Sequence, residues 1–414
     1  MMRGLAAMQD RGFRWFFLAR AITMITGSMS SIALAFAVLG IDNAPESLAI
    51  VLTVFTLANV VFLIFGGVVA DRLPRALVIQ SCYVIDILSI GTMAALLFTG
   101  AATVPLLALL AAVNGASSAF VMPAMQGIIP QLTTPAHLQQ ANAMLSFVRS
   151  ATTIGGPIVA GILVATAGPA WVMVVQAAGW AIAIVLLAMV RLPAPAPSGS
   201  SFFRDLRTGW HEFWSRTWMW SICLAFMLLN AIHIGAWGVA GPYIAKNDPR
   251  LGITGWGWVL SAEGAGILVM TLILMWLPLR RPLRWGMLAV SALAIPLAML
   301  GLYPHALFVA IAAFVAGAGV EIFNTGWNVT EMEQIPGDKL SRVASYDMLA
   351  SFVAMPIGTL AFGWLIGQVD PTSLLVGSAV VYAVVALGTM LIPSVWRMGR
   401  VDGALEHAPA LADS

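Results

Sequence analysis

Long apolar runs broken by short polar turns account for almost all of the 414 residues. A helix needs about 20 mostly apolar residues to cross the hydrocarbon core of a bilayer. On that rule the pattern predicts twelve spans, near residues 14–40, 48–70, 76–98, 103–127, 138–165, 170–191, 217–244, 254–277, 284–302, 305–328, 341–367 and 372–396. Most turns are only a handful of residues, so neighbouring spans must run antiparallel. The exception is Pro193 to Ser201, which has the composition of an extended polar linker. Phe202 to Ser215 follows it, with Arg204, Asp205, Arg207, His211 and Glu212 set among Phe203, Leu206, Trp210, Phe213 and Trp214. That pattern suits a short amphipathic helix on the membrane surface. The expected organisation is an N-terminal six-helix bundle (1–191), a linker (192–216), a C-terminal six-helix bundle (217–396) and a tail (397–414).

Lysine and arginine placement predicts the orientation. Arg3, Arg11 and Arg14 precede the first span, and Arg72 and Arg75 follow the second. Basic residues also follow the sixth, eighth, tenth and twelfth spans, whereas the opposite turns hold only Lys246 and Arg250. Both termini and the linker are therefore expected in the cytoplasm, with the chain in the cell (inner or plasma) membrane. The two halves echo each other. Leu138 to Leu145 opens the fifth span and Leu340 to Asp347 the eleventh, each leading to a proline, Pro157 and Pro356, with glycines nearby. Halves related in this way are expected to rock about a site near the midplane.

Composition narrows the class. The chain is 60% hydrophobic and 9% charged, against roughly 25% charged in soluble domains, so lipid is its solvent. A net charge of +2 points to neither nucleic acid nor an acidic partner. The first apolar run is about twice the length of a signal h-region, so no cleavable signal is expected. Cys82 and Cys223 both lie in apolar runs and suit no disulfide framework. No phosphate-binding Gly-x-x-x-x-Gly-Lys-Ser/Thr loop is present. The five histidines are scattered without metal-ligand spacing, and no nucleophile elbow or catalytic carboxylate pair occurs. No metal or cofactor is expected. A membrane-embedded enzyme is the alternative from a different class; it would gather its polar residues near one surface, whereas here they spread through the depth of both halves.

Gly67-Val68-Val69-Ala70-Asp71-Arg72-Leu73-Pro74-Arg75 resembles the signature turn Gly-x-x-x-Asp-Arg-x-x-Arg of the major facilitator superfamily. Pro74 stands where glycine is usual, and Ala76 where a second basic residue often follows. Gly156-Pro157-Ile158-Val159-Ala160-Gly161 is similar to the glycine-proline motif of its antiporter branches, without the earlier glycines. Asn114-Gly115, Pro123-Ala124, Lys339 to Val343 and Met355 to Gly358 look most like the macrolide-efflux and enterobactin-exporter branch. The similarity covers about residues 10–396. It implies an all-α integral membrane fold of twelve helices in two pseudo-symmetric six-helix bundles. It also implies that Gly67, Asp71, Arg72 and Arg75 gate the cytoplasmic side, Asp71 meeting the Ser341–Asp347 region. Drug/proton antiporters often carry an arginine before the fourth-span glycine; this chain has Ala111-Ala112-Val113-Asn114 there.

Ionisable groups inside a span cost roughly 2.5–3.5 kcal/mol at its centre and need a partner or a wet cavity. Glu263, flanked by Ser261, Gly264 and Gly266, is a candidate proton carrier or a structural hydrogen-bonding group. Glu321 forms one helical stripe with Asn324, Thr325 and Asn328, which must face a cavity or another helix. Arg149 can contact substrate or pair with Asp86. Arg20 heads a polar stripe in the first span and can also snorkel to the surface. His233 and Trp256 complete the candidate cavity residues. Asn59 is expected to join helices, and Trp258 and Trp327 to anchor at the membrane interface.

With these residues, the resemblance implies a proton-coupled multidrug antiporter, expected to be a monomer. It would export a hydrophobic or amphipathic small molecule, an antibiotic or siderophore-like metabolite, by alternating access. Glu263 and Glu321 would exchange protons. An uncoupled facilitator or importer of a small metabolite is the alternative.

Overall fold

The structure is a computed structural model. It describes residues 8–72, 74–132, 138–190, 210, 213–277, 279–335, 343, 347, 350–351 and 353–399, with the side chains of 63–72, 122–123, 126–127, 129–131, 138–139 and 142–143 excepted. Among the described residues eleven helices are long and apolar enough to cross a membrane. The span predicted at 341–367 is described mainly as its second part.

The first run folds as α1 (Arg11–Gly27) and α2 (Ser30–Ile41), interrupted at Ser28-Met29. Then come α3 (Pro45–Arg72), α4 (Arg75–Thr99), α5 (Val104–Leu132), α6 (Leu138–Ala167) and α7 (Pro169–Ala188). Gly100, at φ 69°, takes the left-handed conformation that ends α4 and turns the chain toward α5. The expected linker and its amphipathic helix lie mostly outside the described residues; from Thr217, α8 (Thr217–Gly235) runs through a π-helical turn (Ala236–Ala240) into α9 (Gly241–Asn247). The remaining elements are α10 (Gly252–Leu274), α11 (Pro282–Val290), α12 (Ala294–Leu302), α13 (Ala306–Gln334), α14 (Met355–Gln368), α15 (Pro371–Gly388) and α16 (Pro393–Arg397). A 3-10 turn at Ser291–Leu293 joins α11 to α12 within one span.

These helices are apolar on all sides, the sequence signature of a segment solvated by lipid. Leu88, Val185 and Val384 are accordingly exposed. Backbone polar groups cannot be left unpaired in hydrocarbon, which leaves the helix as the element this composition can form. Side-chain glue is present where expected. Asn59 on α3 donates to the Gly115 carbonyl (3.1 Å) and to Ser118 Oγ (2.6 Å) on α5.

Helices α1–α7 pack chiefly among themselves, as do α8–α15. At the end of the molecule that carries Arg75, Phe13, Phe16, Ile79, Tyr83, Ile128 and Leu187 form a core confined to the first set. The two sets meet toward the opposite end, which carries Asn43. There α6 packs on α10, α3 on α14, and α2 on α9. Asn43 and Asn247 hydrogen-bond across this meeting (2.8 Å), and the Lys246 ammonium donates to the Leu39 carbonyl.

Small residues permit that closure. Gly257 lies directly under the Pro157 carbonyl, where a Cβ would overlap it. Gly161 sits against Ile253 to Gly257, while Gly156 abuts Ser28 in the interruption of the first span. The Gly156, Pro157 and Gly161 motif therefore lines the seam between the two sets and the break in the first span.

Candidate functional site

A cavity of about 360 Å³ lies on the inner side of α8–α15. Ile222, Cys223, Phe226, Asn230 and His233 line it along α8, and Glu263 lines it from α10. Val320, Phe323, Asn324 and Trp327 contribute from α13, and Asp347, Ser351 and Tyr382 close the ring. Cys223 and His233 are ten residues apart on one helix, so the cavity is about 15 Å long at 1.5 Å per residue. It reaches from mid-membrane toward the Arg75 end, away from the seam.

Its inner pole is Glu263. The π-helical turn after α8 carries Trp237, whose indole N–H donates to Glu263 Oε2 (2.7 Å). His233 Nε2 stands 4.0 Å from Glu263 Oε1, and the His233 and Trp237 rings lie 5.5 Å apart. His233 Nδ1 is buried and has no hydrogen-bond partner among the described residues. Trp237 is braced from behind by Trp256, 5.6 Å away and near edge-on. Trp256 fits because Gly241 has no Cβ in the space its ring occupies. The inner wall is thus closely packed, and the carboxylate accepts from a neutral donor beside the His233 imidazole.

The outer pole is Asp347. Cys223 Sγ–H and Ser351 Oγ–H both donate to its Oδ1, and the Trp327 indole N–H donates to Oδ2, each at 3.2 Å. Asn230 fixes the neighbouring backbone by donating to the Ser351 carbonyl (3.0 Å). Glu331, one turn along α13 from Trp327, is a second buried carboxylate next to Asp347.

Of the residues singled out in the sequence, Glu263, His233 and Asn324 come together in this cavity. Trp256 stands behind its wall. Glu321 does not line it and accepts a hydrogen bond from Thr325 Oγ1 (3.0 Å) one turn along the same helix. Asn328 is exposed on α13 outside the lining. Arg149 is exposed on α6, four residues before Thr153, on the face that meets Gly264 of α10. No ion pair joins it to Asp86 among the described residues; Asp86 is buried beside Ser117 instead. Arg20 lies next to Tyr83 in the core of the first set. Trp258 is half exposed, whereas Trp327, also expected as an interface anchor, is buried and bonds Asp347. A nearby carboxylate gives its N–H a better partner than the interface would. Arg75 begins α4 and is half-buried. The side chains of Gly67, Asp71 and Arg72, and residues 341, 342 and 344–346 of their expected contact, lie outside the described residues.

Sequence reasoning gave no cavity role to Trp237, Tyr382, Cys223, Glu331 or Asp347. Their one legible signal was polarity: Glu331 and Asp347 are carboxylates close to apolar runs, but each sits near a span end, where a charge can reach water.

Comparison with known proteins agrees with this architecture. The family model described as Major Facilitator Superfamily matches residues 16–359. The enterobactin exporter EntS of Shigella boydii is 27% identical over 259 residues, covering 62% of this chain and 59% of that protein. The same exporter from Escherichia coli O1:K1 / APEC is likewise 27% identical. The chain thus spans about three-fifths of the length of the curated relatives it matches. Among solved structures, a bacterial homologue of the iron transporter ferroportin in an inward-facing state superposes with a TM-score of 0.73 at 17% identity, over 92% of this chain and 98% of that one. The nucleoside transporter NupG gives 0.71 at 17%, over 94% and 100%. At such identities these structures establish the fold alone.

Proposed function

The chain belongs to the major facilitator superfamily and is a multi-pass membrane transporter, and we propose that it exports a hydrophobic or amphipathic small molecule in exchange for protons, with Glu263 as the proton-coupling group. The observation that carries the reading is the position of Glu263. Its carboxylate stands at the inner end of a mostly apolar cavity, beside His233 and fixed by Trp237. A carboxylate there can hold either a proton or a bound ligand's polar group, and competition between the two is the basis of antiport. Glu321, with its Thr325 partner outside the cavity, is assigned a structural role.

The Arg75 end is assigned to the cytoplasm and the seam at the Asn43 end to the outer side of the cell membrane. In this arrangement the cavity is reached from within, and rocking of residues 1–191 against 217–396 would pass the substrate outward. The Gly67–Arg75 turn would then close the inner side. The working unit is a monomer. The exporter names of the relatives at 27% identity support the direction.

The test uses protein reconstituted in liposomes, with chloramphenicol as a neutral probe and ethidium as a cationic one. A pH step should drive accumulation of at least one of them. Glu263→Gln should abolish the pH-driven component and Glu321→Gln should retain it. Full pH-driven transport in Glu263→Gln would overturn the assignment. Transport that ignores the pH step in the parent protein would favour an uncoupled facilitator.

A further inference from the structure

The outer pole of the cavity, around Asp347, lies apart from Glu263. Asp347 and Glu331 approach each other from the eleventh span and from α13. Glu331 is only 7% exposed, and its Oε1 is buried without a hydrogen-bond partner among the described residues. Every described donor to Asp347 is neutral: a thiol, a hydroxyl and an indole N–H. Such donors hold a carboxylate in place but do not cancel its charge. A buried carboxylate beside one that lines the cavity repels it, and the pair is costly to keep without a cation or a proton between them.

No lysine or arginine lines the cavity among the described residues. Arg149 approaches on α6 near the level of Glu263, and it forms no ion pair with Glu263, Glu331 or Asp347 among the described residues. Next to Asp347 the wall is aromatic. Phe226 stacks on Phe323 at 4.1 Å, Phe323 on Trp327 at 5.9 Å, and Trp218 meets Trp327 edge-on at 5.4 Å. Ring faces attract cations within about 6 Å and accept flat apolar groups equally well.

We infer that the cavity takes an organic cation, its charge held at Asp347 and its apolar body laid along Phe226, Phe323 and Trp327. The inference rests on the transport reading above and names its substrate class. Glu331 lies behind Asp347 and strengthens the demand for positive charge. Glu263 at the other end leaves the site acidic at both poles. An anion of the same shape would face carboxylates at both ends and find no lysine or arginine in the lining among the described residues.

The experiment compares two ions of nearly equal size and opposite charge, tetraphenylphosphonium and tetraphenylborate, by equilibrium dialysis against the full-length protein in detergent. Tetraphenylphosphonium should bind at least about tenfold more tightly than tetraphenylborate, a difference of about 1.4 kcal/mol. Asp347→Asn should weaken it about tenfold or more, and Asp347→Glu should recover most of that loss. Elution as a single monodisperse species verifies the fold of each variant. Equal or tighter binding of tetraphenylborate would overturn the inference, as would an Asp347→Asn variant that binds tetraphenylphosphonium normally. Sodium that displaces the probe better than N-methylglucamine at equal ionic strength would reassign the pole to an alkali cation and overturn it too. The two proposals fail separately. Chloramphenicol driven by a pH step without tetraphenylphosphonium binding would sink only the cation site. Binding of tetraphenylphosphonium at Asp347 without any pH-driven transport would sink only the coupling.

Discussion

Replacing Gly257 by alanine should pry open the seam at the Asn43 end. An alanine Cβ there would overlap the Pro157 carbonyl oxygen and stand 3.2 Å from Pro157 C and 3.4 Å from Gly161 Cα. All three atoms are backbone, so no rotamer change relieves the overlap, and α6 must move away from α10. Overpacking of this kind costs about 1–3 kcal/mol. Because α6 and α10 belong to different sets, the cost falls on the closed arrangement and not on either set alone. A penalty of about 1–3 kcal/mol on one of two states shifts their ratio about 5–150-fold. Ala245 on α9 reports the change, being 1% exposed beside the seam. A cysteine at that position should react slowly with a membrane-impermeant maleimide in the parent and faster by that factor in Gly257→Ala. Gly264→Ala is the comparison: its nearest contact is the Thr153 methyl at 2.8 Å, which can rotate, and its nearest backbone atom, Thr153 O, stands at 3.1 Å rather than overlapping, so its effect should be smaller. A Gly257→Ala variant with unchanged labelling would refute the role of the seam.

Three further outcomes follow from the geometry. Trp237→Phe keeps the ring against Trp256 but removes the donor to Glu263; a hydrogen bond to a charged group contributes about 1.5–3 kcal/mol, so pH-driven transport should fall about tenfold or more with ethidium as probe. Asp370→Ala removes the N-cap of α15, where the carboxylate accepts from the Ser373 N–H at 2.9 Å; it should lower the melting temperature in detergent through a loss of about 1 kcal/mol, leaving probe binding intact. Hydrogen bonds from Arg250 hold the Asp248 carboxyl below the usual carboxylate range, so this exposed pair is present above pH 4–5, as roughly expected of a carboxylate, and is lost only as pH falls through the depressed value. Arg250→Gln should therefore leave any pH dependence of transport between pH 5.5 and 8 unchanged.

The fold was legible because lipid solvation writes itself into every segment. A span must be apolar all round, so α7 or α15 declares itself without reference to its neighbours. Glu263 and His233 stood out for the same reason, as costly groups deep in apolar runs. Their partnership was not legible. Trp237 reaches Glu263 only because α8 gives way to a π-helical turn, and Trp256 braces it only because Gly241 is empty at that point. The outer pole joins residues 223, 327, 331, 347 and 351 from three spans, a coincidence of packing that spacing along the chain does not carry. Glu321 shares its helical stripe with Asn324, yet only Asn324 lines the cavity. Periodicity fixes which residues share a face, but not which half of that face meets the cavity.

The most direct test of proton antiport runs the reaction backwards. Liposomes containing the protein and the pH dye pyranine are given an ethidium gradient, equal pH on both sides, and a membrane potential clamped with valinomycin and potassium. Ethidium flowing down its gradient should drive protons the opposite way and displace the lumenal pH, and Glu263→Gln should abolish that displacement. Ethidium flux through the parent protein with no change in lumenal pH would contradict the coupling.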